Sequence, residues 1–158
     1  MSVVRLQKRG TSLHTYKTVR AETLPYQTGA YYVRIQAMAV KHHISPEDEF
    51  DDHDAPDTKY IVIYDDVLPV ATVRLYPAGD DAMMLGRIVV LPEYRHKGLG
   101  SMAVKAAQDW ARDLGCRKTV LESRVNKTEF YKKLGYAADD SAIIHGETFD
   151  CIFMEKEL

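Results

Sequence analysis

Two cysteines in 158 residues, Cys116 and Cys151, are too few and too far apart for a disulfide framework or a cysteine-rich zinc site. His42, His43 and His53 lie near acids but lack the compact spacing of a metal centre, and no metal is expected. No apolar run approaches the ~20 residues that span a bilayer. The start of the chain lacks the apolar core of a signal peptide, so the cytoplasm is the expected address and no membrane partner is expected. A dominant charge is missing too: 21 basic against 23 acidic residues leave a net charge of −2 and a pI near 6.3. Without a basic face there is no electrostatic footprint for nucleic acid, and the expected partner is small. Repeats and low-complexity tracts are also lacking. What is there, 46% hydrophobic residues, suffices for one core, so a single domain over 1–158 is expected, with 1–12 poorly patterned.

Alternation over 13–20 predicts a first strand. Ala30, Val33, Ala37 and Val40 recur at helical spacing within 26–41, and Ser45-Pro46 followed by acids predicts a further short helical turn. Runs at 60–64 and 70–76 flank Asp65-Asp66 as an antiparallel hairpin, with Pro69 at its edge or start. A strand over 83–90 completes a meander, in which Gly86 marks a bulge or a close backbone approach. Leu99, Met102, Ala103, Ala106, Trp110 and Leu114 form one stripe of an amphipathic helix over 98–114, ended by Gly115. A strand at 118–123, a helix over 126–133 and strands over 136–140 and 147–155 follow. The fold class is α/β (α+β): a mixed, mostly antiparallel sheet with helices on both faces.

The most informative stretch is Ile88 to Ser101, a buried strand, a charged turn and a glycine-opened helix in succession. The first N–H groups of a helix are unpaired and carry partial positive charge, and Gly98 and Gly100 remove side chains that would hold a phosphate away. That is the layout of an anion cradle. The literal pattern Gly98-x-Gly100-x-x-Ala103, with Glu122 downstream, also fits a dinucleotide fingerprint. Against that reading, such folds turn tightly from strand into glycine, whereas Leu91 to Lys97 intervene here and include Arg95, His96 and Lys97.

The run Arg95-His96-Lys97-Gly98-Leu99-Gly100, preceded by Pro92-Glu93-Tyr94, resembles the acetyl-CoA-binding motif of the GNAT acetyltransferases. Phe130-Tyr131-Lys132-Lys133-Leu134-Gly135-Tyr136 is similar to the other signature of that family, in the right order along the chain. Arg34, the acidic run from Glu47 to Asp57 and Ala71-Thr72-Val73-Arg74-Leu75-Tyr76-Pro77 look like a subgroup of small bacterial acetyltransferases of the ElaA type. The resemblance covers residues 26–158. It implies a GNAT-type domain whose strands before and after the main helix splay apart around the thioester. It also implies that N–H groups of His96, Lys97, Gly98, Leu99, Gly100 and Ser101 hold the CoA pyrophosphate while Ile88, Val89 and Val90 bind the pantetheine arm like an added strand. The family often pairs through its C-terminal strands, so a homodimer is a modest expectation.

Acetyl transfer to an amine needs an uncharged nucleophile, a donor for the oxyanion and a proton for the leaving thiolate. Tyr131 stands where the family carries its acid, and a phenol with a pKa near ~10 matches an alkyl thiolate. The adjacent Phe130, ~100° round the helix, is expected to face the core. A backbone N–H on 88–90 suits the oxyanion. Glu122, near the mouth of the opening, is the candidate base if partial burial raises its pKa, the alternative being an exposed strand-end carboxylate. Many family members place an Asn seven residues before the motif tyrosine. Here that position is Arg124, with Asn126 two residues on, so Arg124 could bind a CoA phosphate or an acidic group of the substrate. Seven acids between Glu47 and Asp57 near the acceptor entrance could attract a cationic amine, with Arg34, Glu49, Asp51 and Arg74 as substrate contacts. Alternatively one or two of these acids pair with Arg34 or cap a helix and the rest are hydrated.

The leading expectation is therefore an enzyme moving acetyl from acetyl-CoA to a primary amine of a small molecule or peptide, by direct attack in a ternary complex. A lone Cys151 without a recognisable His partner argues against a covalent acetyl-enzyme. The alternative is a catalytically idle acyl-CoA-binding sensor. An acyl-homoserine-lactone synthase, of related fold, is disfavoured by the short chain and by Trp110 being its only tryptophan.

Overall fold

The computed structural model describes residues 3–9 and 12–158. Its strands are β1 (Val3–Arg9), β2 (Ser12–Ala21), β3 (Lys59–Asp65), β4 (Leu68–Pro77), β5 (Ala82–Val90), β6 (Lys118–Arg124), β7 (Ala137–Ile144) and β8 (Cys151–Glu157). They form one sheet in the order β1-β2-β3-β4-β5-β6-β8-β7. Every neighbouring pair is antiparallel except β5 with β6.

The β3–β4 hairpin turns at Asp66, whose φ of 53° lies in the left-handed region that a short polar side chain tolerates. From Val70 to Leu75 β4 is buried throughout, because both of its faces are covered. Ala71, Val73 and Leu75 join Ile61 and Ile63 of β3 under α3 (Leu99–Asp113). The alternate side chains Tyr60 and Val62 pack with Ala30 of α1 (Leu24–Arg34), and Thr72 and Arg74 lie opposite them in register on that face. Helices thus occupy both faces, as the periodicity requires.

The α1 helix is longer than its α-helical part. It continues as a π-helical stretch, Ile35–Val40, before the four-residue α2 (Pro46–Glu49), capped by Ser45 accepting from the Asp48 N–H. The expected helix over 26–41 is therefore real but changes hydrogen-bond register midway, which a 3.6-residue pattern does not reveal. On α3 the buried face is Leu99, Ala103, Val104, Ala107, Trp110 and Ala111. Met102 and Ala106 sit at its edge, and Leu114, expected in the stripe, is exposed just past the helix end. Fully burying a leucine such as Leu99 contributes about 1.5–3 kcal/mol. At the far side, Thr119 of β6 and Gln108 of α3 both hydrogen-bond the hydroxyl of Tyr136, locking the short α4 (Thr128–Lys133) and its exit to the sheet.

Two features shape the middle of the sheet. The β4–β5 register slips by one residue between Thr72 and Arg74, where β5 bulges at Arg87 with φ 45°. Gly86, singled out in the sequence as a bulge or close approach, sits beside this bulge opposite Arg74. Secondly, β5 and β6 pair only at Ala82–Lys118, Met83–Thr119 and Met84–Val120 and then diverge. The later halves of both strands line a V-shaped opening. No helix among the described residues is long and apolar enough to cross a membrane.

Candidate active site

The opening has β5 as one wall. Leu91 donates its N–H to Val70 of β4, so the alternation of the strand turns the N–H and C=O of Val90 the other way, into the gap. Val89 is buried, and Ile88 and Val90 are half-buried. The expected pantetheine-binding segment is thus an open strand edge.

Beyond β5, Pro92–Tyr94 makes one 3-10 turn. The Tyr94 hydroxyl donates to Asp65 at 2.8 Å, and that bond, with burial, pushes its phenol up to about 12. Lys97 lies over the Tyr94 ring at 4.9 Å, and Arg95 donates Nε to the Val90 carbonyl at 3.2 Å. These contacts pin the loop so that His96 (φ 61°) and Gly98 (φ 80°) both take left-handed conformations. Among the described residues the N–H groups of His96, Lys97, Gly98, Leu99, Gly100 and Ser101 find no acceptor. Six consecutive donors at a helix start form an anion-binding concavity. Gly100 faces Phe130 of α4, where an added Cβ would lie 3.3 Å from the ring.

Tyr131 projects from α4 with its ring edge-on to Phe130 (4.9 Å) and Tyr136 (6.1 Å). Phe130 is only half-buried, packing on Gly100 rather than in the central core. The Tyr131 hydroxyl has no hydrogen-bond partner among the described residues. Burial, reinforced by Tyr136, pushes its phenol well above the ordinary tyrosine range. The shift favours the protonated phenol.

On β6, Glu122 and Arg124 lie one pleat apart on the α1 side of the sheet, the side of Val120. Glu122 is exposed, as the strand-end alternative has it, because the β5 wall has already splayed away. Arg124 is half-buried, its guanidinium 3.5 Å from the ring centre of Phe149 and 3.6 Å from the Met38 sulfur. His42 stacks edge-on against the same Phe149 at 5.5 Å. Asn126 is exposed in the 3-10 turn before α4.

The acidic run is organised around cations. Arg34, fully buried, donates Nε to Glu49 (2.9 Å) and its Nη atoms to both oxygens of Asp54 (2.6 and 3.0 Å) and to the Glu49 carbonyl (2.7 Å). Arg74 donates to Asp51 (2.8 Å) and Asp54 (2.9 Å), and Arg87 reaches Asp51 at 3.3 Å. Tyr60 adds a hydrogen bond to Asp54 at 2.6 Å. Burial alone would raise the Asp54 carboxyl, but the bonds from Arg34 and Tyr60 hold it well below the usual carboxylate range. Arg34 and Glu49 are thus committed to each other and Arg74 to Asp51 and Asp54, and of the four expected substrate contacts only Asp51 stays exposed. The acids therefore tie α1 and α2 to the bulged strand β5.

The fold brings Ile88–Val90, 95–101, Tyr131, Glu122 and Arg124 around one opening. Asp54 and Arg87 escaped the sequence reading, although Asp54 lay inside the acidic run. Phe149, Met38 and His42 had no local signal, since they meet Arg124 only through long-range packing. No group of three or more His, Cys, Asp or Glu side chains among the described residues could hold a metal ion.

The sequence profile of the "Acetyltransferase (GNAT) family" matches residues 22–136. YjcF of Bacillus subtilis, an uncharacterised N-acetyltransferase, is 32% identical over 120 residues, covering 76% of this chain and 84% of that protein. The crystal structure of a Lactobacillus plantarum protein described as an N-acetyltransferase superposes with a TM-score of 0.86 at 27% identity, covering 90% of this chain and 98% of that one. Escherichia coli ElaA shares the fold with a TM-score of 0.74 at 16% identity, over 90% of this chain and 98% of its own.

Proposed function

The chain belongs to the GNAT acetyltransferase family, and from that premise we propose that it transfers acetyl from acetyl-CoA directly to a primary amine bound in the opening between β5 and β6. The observation that carries this reading is the row of six free N–H groups beside an open strand edge, with a protonated phenol opposite. These residues fit the donor. The N–H groups of 96–101 suit the pyrophosphate, and the outward edge at Ile88–Val90 suits the pantetheine amides. Asn126 and Arg124 are its further candidate contacts.

In this reading the amine nitrogen attacks the thioester carbonyl, a C–N bond forms and the C–S bond breaks. Glu122 takes the proton of the incoming ammonium, directly or through water. The Val90 N–H faces the developing oxyanion. Tyr131 gives its proton to the departing sulfur, and the second nitrogen proton, lost as the tetrahedral adduct collapses to the amide, returns through water to the phenolate. Direct attack is supported at Cys151: burial, together with Glu122 nearby, pushes its thiol up, so it stays protonated and weakly nucleophilic.

Thermal unfolding with acetyl-CoA, free CoA and NADH side by side tests the cradle. A ligand at about 100 times its Kd adds ~2.7 kcal/mol, roughly 5–10 °C for this domain. A shift with the two CoA species alone is the expected result, and a shift with NADH alone would overturn the reading. Binding without turnover across a broad amine panel would favour a non-catalytic acyl-CoA sensor.

Gly100→Val should separate the cradle from the fold. The branched side chain meets Phe130 and covers the helix start, so acetyl-CoA affinity should fall by ~10-fold or more. The added crowding is expected to cost about 1–3 kcal/mol of stability. Calorimetric titration showing unchanged affinity would remove the N–H row from the site.

A further inference from the structure

Glu122 and Arg124 present an unusual pair. They lie on the same face of β6, with Cα atoms about 7 Å apart by strand geometry. Yet they form no ion pair with each other, and neither has an oppositely charged partner within salt-bridge reach among the described residues. The acids nearest in sequence to the acceptor side, Glu49, Asp51 and Asp54, are held by Arg34, Arg74 and Arg87. Arg124 is instead fixed over the Phe149 ring and by one Nη donating to the Met38 sulfur, and no oxygen acceptor among the described residues takes its other N–H groups.

Cationic side chains gather at this corner beside it, Arg95 and Lys41 among them. Burial first, and then the charges of Arg124, Lys41 and Arg95, push the His42 imidazole below its ordinary range. Burial lowers Arg124 itself, opposed by Cys151, Tyr131 and Glu49 and reinforced by Arg95. A half-buried guanidinium with no carboxylate in salt-bridge reach among the described residues is complementary to an anionic oxygen pair delivered by a ligand. A free carboxylate one pleat away is complementary to an ammonium.

We infer that the acceptor is a zwitterion of the α-amino-acid class, its amine held at Glu122 and its carboxylate gripped by Arg124. This rests on the acetyltransferase reading and narrows its substrate. The Glu122 side then both binds the ammonium and removes its proton, while Arg124 orients the nitrogen toward the thioester. The same guanidinium could be satisfied by a CoA phosphate, which shares the chemistry of paired anionic oxygens.

The test is CoA-thiol release from acetyl-CoA with the twenty protein α-amino acids, each matched to its α-carboxamide and its decarboxylated amine. At least one amino acid should exceed its carboxamide by ~10-fold or more in kcat/KM. Arg124→Met should close that gap by raising the KM for the amino acid, and Arg124→Lys should restore it in part. Amino acids and carboxamides serving equally in the wild type would overturn the inference and leave the acetyltransferase reading intact, and this comparison requires no variant to fold. A rise in the KM for acetyl-CoA in place of the acceptor would also overturn it, assigning Arg124 to a CoA phosphate. Failure of every amine despite acetyl-CoA binding would overturn both.

Discussion

Arg34→Met should cost about 3–5 kcal/mol of folding stability at neutral pH, lowering the thermal midpoint by roughly 10 °C or more. The guanidinium is fully buried and makes four hydrogen bonds to Glu49 and Asp54 while lying 4.3 Å over the Phe50 ring. Methionine fills much of the volume but donates nothing. Glu49 then keeps only Arg87, at 3.6 Å, and Asp54 keeps Arg74 and Tyr60. Buried Glu49 loses its close cation, and Asp54 loses one of its two guanidinium partners. The pH dependence follows from Asp54, whose carboxyl lies below its unfolded value. A depressed carboxyl contributes stability that is present above the unfolded pKa of ~3.9 and is lost as pH falls through the folded one. In the variant that depression shrinks, so the deficit should be largest at neutral pH and narrow in acid. Urea midpoints at constant m-value, measured at neutral pH and again in acid, check both statements. A loss under ~1 kcal/mol, the size expected for an exposed pair, would mean that the network is not a structural tie. Asp51→Asn, at the exposed end of the same network, should show only that smaller loss.

This network marks where the sequence stops being readable. The acidic run was visible as seven acids, but hydrated acids, substrate-attracting acids and acids paired inside the fold look alike in one dimension. What separates them is which residue of β4 and β5 they meet. Arg74 lies twenty residues or more from its partners and Arg87 thirty-six from Asp51. Local patterns fared better. The β3–β4 hairpin, the strand before the glycines and α3 arose where alternation or helical spacing coincided with turn residues, and each agrees within two or three residues. The edge strand β1 was missed because an edge strand has one hydrogen-bonding neighbour and a weaker demand for alternating burial. The expected 136–140 and 147–155 strands fall at 137–144 and 151–157. Their inner boundary is set by a connection that carries Phe149 onto Arg124, again a long-range contact.

The site shows the same division. The cradle was legible because an anion-binding helix start must be built locally, from consecutive residues of one strand, loop and helix. Tyr131 was legible through its motif. For Glu122 the sequence left burial and exposure both open, since that depends on how far β5 and β6 splay, and pairing between them ends at Met84 and Val120.

Tyr131→Phe should lower kcat by about 100-fold while leaving acetyl-CoA affinity and stability nearly unchanged. The folded structure loses little by the change, because the hydroxyl has no hydrogen-bond partner among the described residues and the ring contacts to Phe130 and Tyr136 are kept. What disappears is the proton for the leaving thiolate. Burial raises the phenol above its ordinary range, which works against easy proton release but keeps the group protonated. The proton is drawn off only as negative charge grows on the sulfur. The pH profile carries the sign of this assignment. Rates should climb as the acceptor amine loses its proton and then hold level, with no descending limb from Tyr131 below a pH of ~10, the ordinary tyrosine pKa. The variant should trace the same curve at reduced height. Single-turnover and steady-state rates over pH, with acetyl-CoA affinity measured separately, decide between the possible roles. An unchanged kcat with weakened acetyl-CoA binding would make Tyr131 a packing residue under the cosubstrate. An unchanged kcat with unchanged binding would remove it from the mechanism and turn the search toward a water as the proton source.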